Sequence, residues 1–403
     1  MGAISLAMIA ATILLFTTVD PWMPYTGLFA GGFDLDVYRD GARHAVAGLP
    51  LYTDPVIHGL LYTYTPFSTV LFVPFGLLPT GTDKYIWMGI NAALLAAIIA
   101  LCWRMLRYRI TVRVVAVSVL LASGCLFLEP VRTTLFFGQI NLVLMALVLW
   151  DASRGERSRL KGVGVGIAAG IKLTPAYFVL YYLVLRQWRA AAVAVVMIAA
   201  TVGVGWAVLP RDSWQYWSET FFDSTRIADE SHAANQSLRG ALARIIGDPA
   251  PTWLWLLLVA VAVSVSMWVA ARLHRTGETL LSITVAGLTS SVVSPFSWSH
   301  HWVWFVPLFV YLAHRALKNS WWWLAIVALF VAAGSWSYRW PDGRVVVGLY
   351  LFRPAWAPWD VLVNLYLVAY VAVMGGAAAI AFRRSPATSK TSPSSVPSLP
   401  LAA

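Results

Sequence analysis

A chain of 403 residues that is 59% hydrophobic and only 12% charged, with a mean hydropathy of +0.70, lacks the roughly one-quarter charged residues that a water-soluble domain carries. Lipid must be its main solvent, which makes it an all-α polytopic membrane protein. The net charge of +11 does not imply nucleic acid, because Lys and Arg fall in short connections between apolar runs and leave no basic surface over.

The first apolar run, about Ala3 to Phe16, has no basic stretch before it and no small-residue cleavage site after it, so it reads as a retained first span. At about 20 apolar residues per crossing, and fewer where neighbours shelter the segment, about twelve spans follow. They fall near 3–19, 84–103, 112–128, 139–151, 161–172, 175–186, 190–209, 252–272, 279–295, 302–316, 320–337 and 357–381. The Gly- and Pro-interrupted pair 161–172 and 175–186 is expected to line a cavity. Cys102 and Cys125 lie inside apolar runs and read as unbridged thiols.

The basic connections set the orientation: Arg104 to Arg113, Arg154 to Lys161, Arg186 with Arg189, Arg272 to Arg275, Arg315 with Lys318, and Arg383 with Arg384. All are placed in the cytoplasm if the Pro-bounded segment Pro66 to Pro79 is re-entrant and does not cross. Three polar stretches, about 20–65, 210–250 and 338–356, then face outward, with Asp36 to Ala47 as an interfacial helix. Residues 1–382 form one transmembrane unit, and the Ser/Pro-rich residues 383–403 read as a disordered cytoplasmic tail.

The polar residues of the outer side carry the chemistry. In FDLDVYRDG, Asp34 or Asp36 offers a carboxylate able to take a proton from a sugar hydroxyl, or simply an acidic helix start. In LEPVRTTLFFGQIN, Glu129, Arg132, Gln139 and Asn141 either line a wet cavity or hydrogen-bond between helices. Lys172 stands beside Thr174 and the helix-breaking Pro175, where a fixed cation suits an anionic phosphate and a snorkelling lysine is the plain alternative. The outer loop after Trp214 supplies Arg226, His232, Asn235, Gln236 and Arg239 for hydroxyls or phosphate. In SPFSWSHHWVW, His300 and His301 point about 100° apart on a helix, a poor arrangement for a two-ligand metal site, and suit a phosphate or hydroxyl better. No metal-ligand spacing and no Gly-rich nucleotide loop occur in the chain.

FDLDVY, YTYTPF, LEPVRTTLFFGQINLVLM, GIKLTPA, NQSLRGAL and SPFSWSHHWVW, in this order between about residues 33 and 305, together resemble glycosyltransferase family 87. These are the polyprenol-phosphate-mannose-dependent alpha-1,2-mannosyltransferases of the mycobacterial cell envelope. The resemblance implies a GT-C bundle in the plasma membrane, with its catalytic site on the periplasmic side and Asp34 as catalytic base. Mannose would pass with inversion, in a single displacement, from polyprenyl phosphate mannose to the 2-hydroxyl of a mannosyl acceptor. That acceptor is a lipomannan, lipoarabinomannan or phosphatidylinositol mannoside glycolipid. The expected substrate-binding set is Asp36, Tyr64, Glu129, Arg132, Gln139, Asn141, Lys172, Thr174, Asn235, Gln236, Arg239, His300 and His301. Lys172, a histidine, Arg226 or Arg239 would receive the leaving phosphate, without a metal or other cofactor. Thr65 departs from the family by standing where the first of two prolines is usual. A transferase of the same fold using another polyprenyl-phosphate sugar such as arabinose is the nearer rival. A lipid or sugar transporter is the more distant one.

Overall fold

The computed structural model describes residues 2–20, 22–23, 27–223, 226, 228–341, 343–352 and 359–383. Its helices are, in chain order, α1 (Gly2–Thr18), α2 (Phe33–Ala47), α3 (Pro66–Gly76), α4 (Thr82–Met105), α5 (Val112–Cys125), α6 (Glu129–Phe137), α7 (Asn141–Ala152), α8 (Val163–Ile171) and α9 (Tyr177–Val184). The second half continues with α10 (Trp188–Val208), α11 (Pro210–Ser218), α12 (Leu238–Ile246), α13 (Thr252–Arg275), α14 (Thr279–Val293), α15 (Phe305–Ala316), α16 (Trp322–Ala333), α17 (Trp359–Val363) and α18 (Leu365–Arg383). Local signals set many of the ends. Pro66 opens α3, Pro130 lies in the first turn of α6, and the Thr111 and Ser237 side chains cap α5 and α12.

Every apolar run read from the sequence contains helix, but few helices are full crossings. Only α4, α10, α13 and α18 are long and apolar enough to cross a membrane, and the α6–α7 pair makes a fifth if its two arms are one broken span. The chain is therefore membrane-embedded with four to five such spans among the described residues, against the dozen or so expected. Breaks in the backbone account for the difference. The α6–α7 pair bends by 119° at Gly138, and α8 gives way to a 3₁₀ turn, Thr174–Ala176, and α9. The segment expected to re-enter is α3, whose 11 residues reach about 16 Å, roughly half the hydrocarbon thickness.

Two other expectations need correction. The interfacial helix begins earlier than read, at Phe33, so Asp34 lies on it; its Leu35, Val37, Tyr38 and Ala42 are buried rather than resting on a surface. The all-α reading also missed an antiparallel hairpin, β1 (Trp336–Trp340) with β2 (Gly343–Val347). Its valines at 345–347 favour an extended chain once the apolar run ends at Ala333. The expected tail beyond Arg383 and part of the third outer stretch lie outside the described residues.

Charge is sorted between two ends of the bundle. Basic connections meet at one: Arg189 donates to the Arg157 carbonyl at 3.0 Å, His274 faces Glu156 at 3.3 Å, and Arg107, Arg315 and Lys318 border one cavity. Helix α4 runs from the other end, where Trp87 Nε1 donates to the Gly138 carbonyl at 2.8 Å, to this cavity at Met105. Helix α8, only 9 residues long, runs from a buried acid to Lys172. The Asp151 carboxylate accepts the N–H of Gly162 at 2.7 and 2.9 Å and of Val165 at 3.2 Å, holding the start of α8. Asp151→Ala leaves those donors unmet and should cost roughly 1–3 kcal/mol. The check is thermal unfolding in detergent, where an unchanged midpoint would show that this acid does not anchor α8.

Candidate active site

The site is built at the end of the bundle away from the basic connections, on one helix start and three breaks. Gly32, at φ 117°, turns the chain into α2 and places Asp34 in its first turn. Tyr38, four residues on and so on the same face, is fully buried and donates to Gln139 Oε1 at 3.0 Å. Gln139 Nε2 donates in turn to Tyr64 Oη at 3.3 Å, and the Gln139 side chain also hydrogen-bonds the Asp34 carboxylate. The tight α6–α7 turn makes this possible. Gly138 sits at φ +72°, and a Cβ there would lie 2.6 Å from Leu35 Cβ, so only glycine lets α2 approach Gln139 so closely.

Lys172 approaches from the broken end of α8, where its own backbone is extended. Thr65, at the start of α3, donates its hydroxyl to the Gly170 and Ile171 carbonyls. The residue that departs from the expected proline thus ties two broken segments together just before Lys172. The ammonium donates to His301 Nε2 at 2.9 Å and to Asn141 Oδ1 at 3.4 Å, and lies 5.5 Å from the centre of the Tyr64 ring. Asp34, Tyr64, Lys172 and His301 each keep partial exposure while Tyr38, Gln139 and Asn141 behind them are buried.

Burial dominates the electrostatics. It pushes the Asp34 carboxyl up from its ordinary 3.8 to about 6, although the Gln139 hydrogen bond and the Lys172 charge pull it down. Burial, with Lys172 beside it, holds the His301 imidazole well below its ordinary value. His301 is therefore a neutral acceptor for the ammonium, and His300, shifted the same way, is neutral too. The expectation that a histidine supplies positive charge is thereby corrected: a second cation beside Lys172 in a confined site would cost too much.

Most of the remaining predicted residues support this cluster from behind. Glu129 is buried and accepts hydroxyls from Ser299 (2.8 Å), Tyr350 (2.8 Å) and Tyr366 (2.6 Å), fixing the 3₁₀ turn Ser299–Trp304 that carries His301. Asn141 Nδ2 donates to the His300 carbonyl at 3.0 Å. Arg132, also buried, donates to the Val346 carbonyl of the hairpin at 3.1 Å. Asn235 accepts from the Ser297 N–H at 3.0 Å, and Gln236 donates to the Val363 carbonyl at 2.7 Å, clamping the chain before the histidines. Arg239 pairs with Glu230 at 2.6 Å and Arg226 donates to the Tyr52 carbonyl at 2.7 Å, so both are held in outer-loop contacts. Asp36 pairs with Arg39 at 2.7 Å. Thr174 opens the 3₁₀ turn two residues beyond Lys172. Tyr38 was legible as the i+4 neighbour of Asp34 but was missed; Ser299, Tyr350 and Tyr366 gave no sequence signal, because their partner lies 170 to 237 residues away.

A membrane-embedded bundle with a carboxylate of raised pKa opposite a fixed ammonium is the class of an enzyme acting on a membrane substrate. The chain belongs to glycosyltransferase family 87, whose sequence profile matches residues 62–295. It is 35% identical over 93% of its length, and 92% of the relative's, to the polyprenol-phosphate-mannose-dependent alpha-(1-2)-phosphatidylinositol pentamannoside mannosyltransferase of Mycolicibacterium smegmatis. It is also 35% identical over 68% of both chains to the polyprenol-phosphate-mannose-dependent alpha-(1-2)-phosphatidylinositol mannoside mannosyltransferase of Mycobacterium tuberculosis. A more distant similarity, 30% identity over 61% of this chain and 55% of the relative, links it to an alpha-(1->3)-arabinofuranosyltransferase of Mycobacterium tuberculosis. No solved structure matches significantly.

A base works only when ionised, so the transfer rate should fall as pH drops through about 6. Lys172→Gln removes a charge that lowers the Asp34 pKa, and the acid limb should then move to higher pH. A pH–rate profile of the residual activity measures both, and a limb that stays in place would uncouple the two residues.

Proposed function

We propose that this enzyme transfers mannose from polyprenyl phosphate mannose to the 2-hydroxyl of a mannose on a phosphatidylinositol mannoside, at the periplasmic face of the plasma membrane. The observation that carries the reading is the Asp34 carboxylate within the field of the Lys172 ammonium, which is itself held by His301. The two mannosyltransferase relatives, similar over two thirds or more of the chain, supply the donor and the acceptor class. A longer mannan acceptor, as in lipomannan or lipoarabinomannan, is a variant of the same chemistry.

In the reaction the acceptor oxygen attacks the anomeric carbon while Asp34 takes its proton. The bond from that carbon to the phosphate oxygen breaks, and the polyprenyl phosphate leaves with the electron pair. Attack opposite the leaving group inverts the centre, giving an alpha product from a beta-linked donor. Negative charge grows on the departing phosphate, where Lys172 meets it without a metal. His301 and Asn141 hold the ammonium in position. The architecture fits a GT-C bundle in which short, broken helices are sheltered by the crossing ones. A second reading, favoured by the arabinofuranosyltransferase similarity alone, keeps the site and replaces the donor sugar with arabinofuranose.

Asp34→Asn should fold and keep donor binding yet lose about 10²-fold or more of the transfer rate. Lys172→Ala should lower kcat and also raise the KM for the donor, because the charge meets the phosphate both before and during its departure. Both are measured in membranes supplied with radiolabelled polyprenyl phosphate mannose and a phosphatidylinositol mannoside, with linkage analysis of the product. Full activity of Asp34→Asn would remove the proposed base, and arabinose transfer in place of mannose would select the second reading.

A further inference from the structure

A polar cavity of about 280 Å³ lies at the opposite end of the bundle from Asp34, bordered by Arg107, Glu278, Thr279, Arg315, Lys318 and Trp322. Chain direction places it there. Helices α4 and α15 leave the site end and finish at the cavity with Met105 and Arg315, whereas α14 starts at the cavity and runs back toward the histidines. From Trp87 at the site end to Met105 at the cavity, α4 rises about 27 Å.

Three cations border the cavity and one carboxylate opposes them. Glu278 is engaged by Arg315 at 3.6 Å, and that guanidinium is also fixed by Tyr311 Oη at 3.1 Å and by the Trp322 ring at 4.8 Å. Arg107 and Lys318 are exposed and form no ion pair with a carboxylate among the described residues. The start of α14, which Glu278 does not cap with its side chain, adds a partial positive charge at the same wall. A water-filled hollow carrying this excess of positive charge favours an anion with oxygens for both a pinned guanidinium and mobile cations. The neighbouring chain is apolar and exposed, with Leu317 at 51% and Trp321 at 75%, as expected at the boundary between headgroups and acyl chains.

We propose that this cavity binds the phosphate of an anionic phospholipid in the leaflet opposite the active site, joining the turns that follow α4, α13 and α15. Bound there, the headgroup bridges Arg107 after α4 and Lys318 after α15, two exposed cations that otherwise repel one another.

The test uses the full chain purified in neutral detergent, with thermal unfolding followed during titration with short-chain phosphatidylglycerol, phosphatidylcholine or inorganic phosphate. Phosphatidylglycerol should raise the unfolding temperature saturably, and the other two should not. In R107Q/K318Q the apparent affinity for phosphatidylglycerol should fall about tenfold or more, with an unfolding temperature near wild type when no lipid is added. R157Q/R189Q, which removes the same charge at the same end but outside the cavity, should leave the affinity unchanged. Equal losses in the two double variants, or no effect of phosphatidylglycerol, would overturn the proposal. An equal response to inorganic phosphate would overturn the lipid as the source of the anion.

Discussion

An ammonium that must stay charged beside lipid sets the terms for the rest of this structure. Lys172 cannot be held at the end of an apolar helix without partners, because an uncompensated charge in a poorly solvated place costs several kcal/mol. His301 Nε2 and Asn141 Oδ1 provide them, and the Asp34 carboxylate supplies the opposing charge. His301 and Asn141 lie on two different breaks in the helical scaffold, and Asp34 on the start of α2. Broken helices are thus the means by which four distant segments reach one point.

Holding those breaks in register takes a second shell of buried polar contacts. Glu129 gathers three hydroxyls from two separate regions, and the 3₁₀ turn with the histidines is fixed as a result. Asn235 and Gln236 pin the strand of chain just before it. Such networks rigidify a site only when each member is satisfied. Here the glycine at 138 and the threonine at 65 supply the close approach and the cross-link that the geometry requires.

The two ends of the bundle differ in kind. At one, a few partly exposed groups of opposite charge lie close together. At the other, clustered basic turns border a hollow with an excess of positive charge. The four or five helices long enough to cross keep these ends apart, so Asp34 and Lys172 need not share their field with the basic turns.

Composition alone determined that the chain lives in lipid, and apolar runs located its helices, because burial against hydrocarbon demands both an apolar surface and internally satisfied backbone. The six motifs likewise brought Asp34, Lys172 and the histidines forward as candidates. Run length could not tell a crossing helix from a sheltered fragment, since that depends on where neighbours pack; Gly and Pro marked the break between α8 and α9, but α6 fell between two expected spans and its bend into α7 was not legible. Nor could it separate residues of the cluster from residues behind it. Glu129, Arg132, Asn235 and Gln236 carry the same polar signature as Lys172, and only contacts across 62 residues or more turned them into supports. The neutral state of His301 was decided by the same packing, because a titration depends on burial and on the nearest charge, neither of which is written in the local sequence.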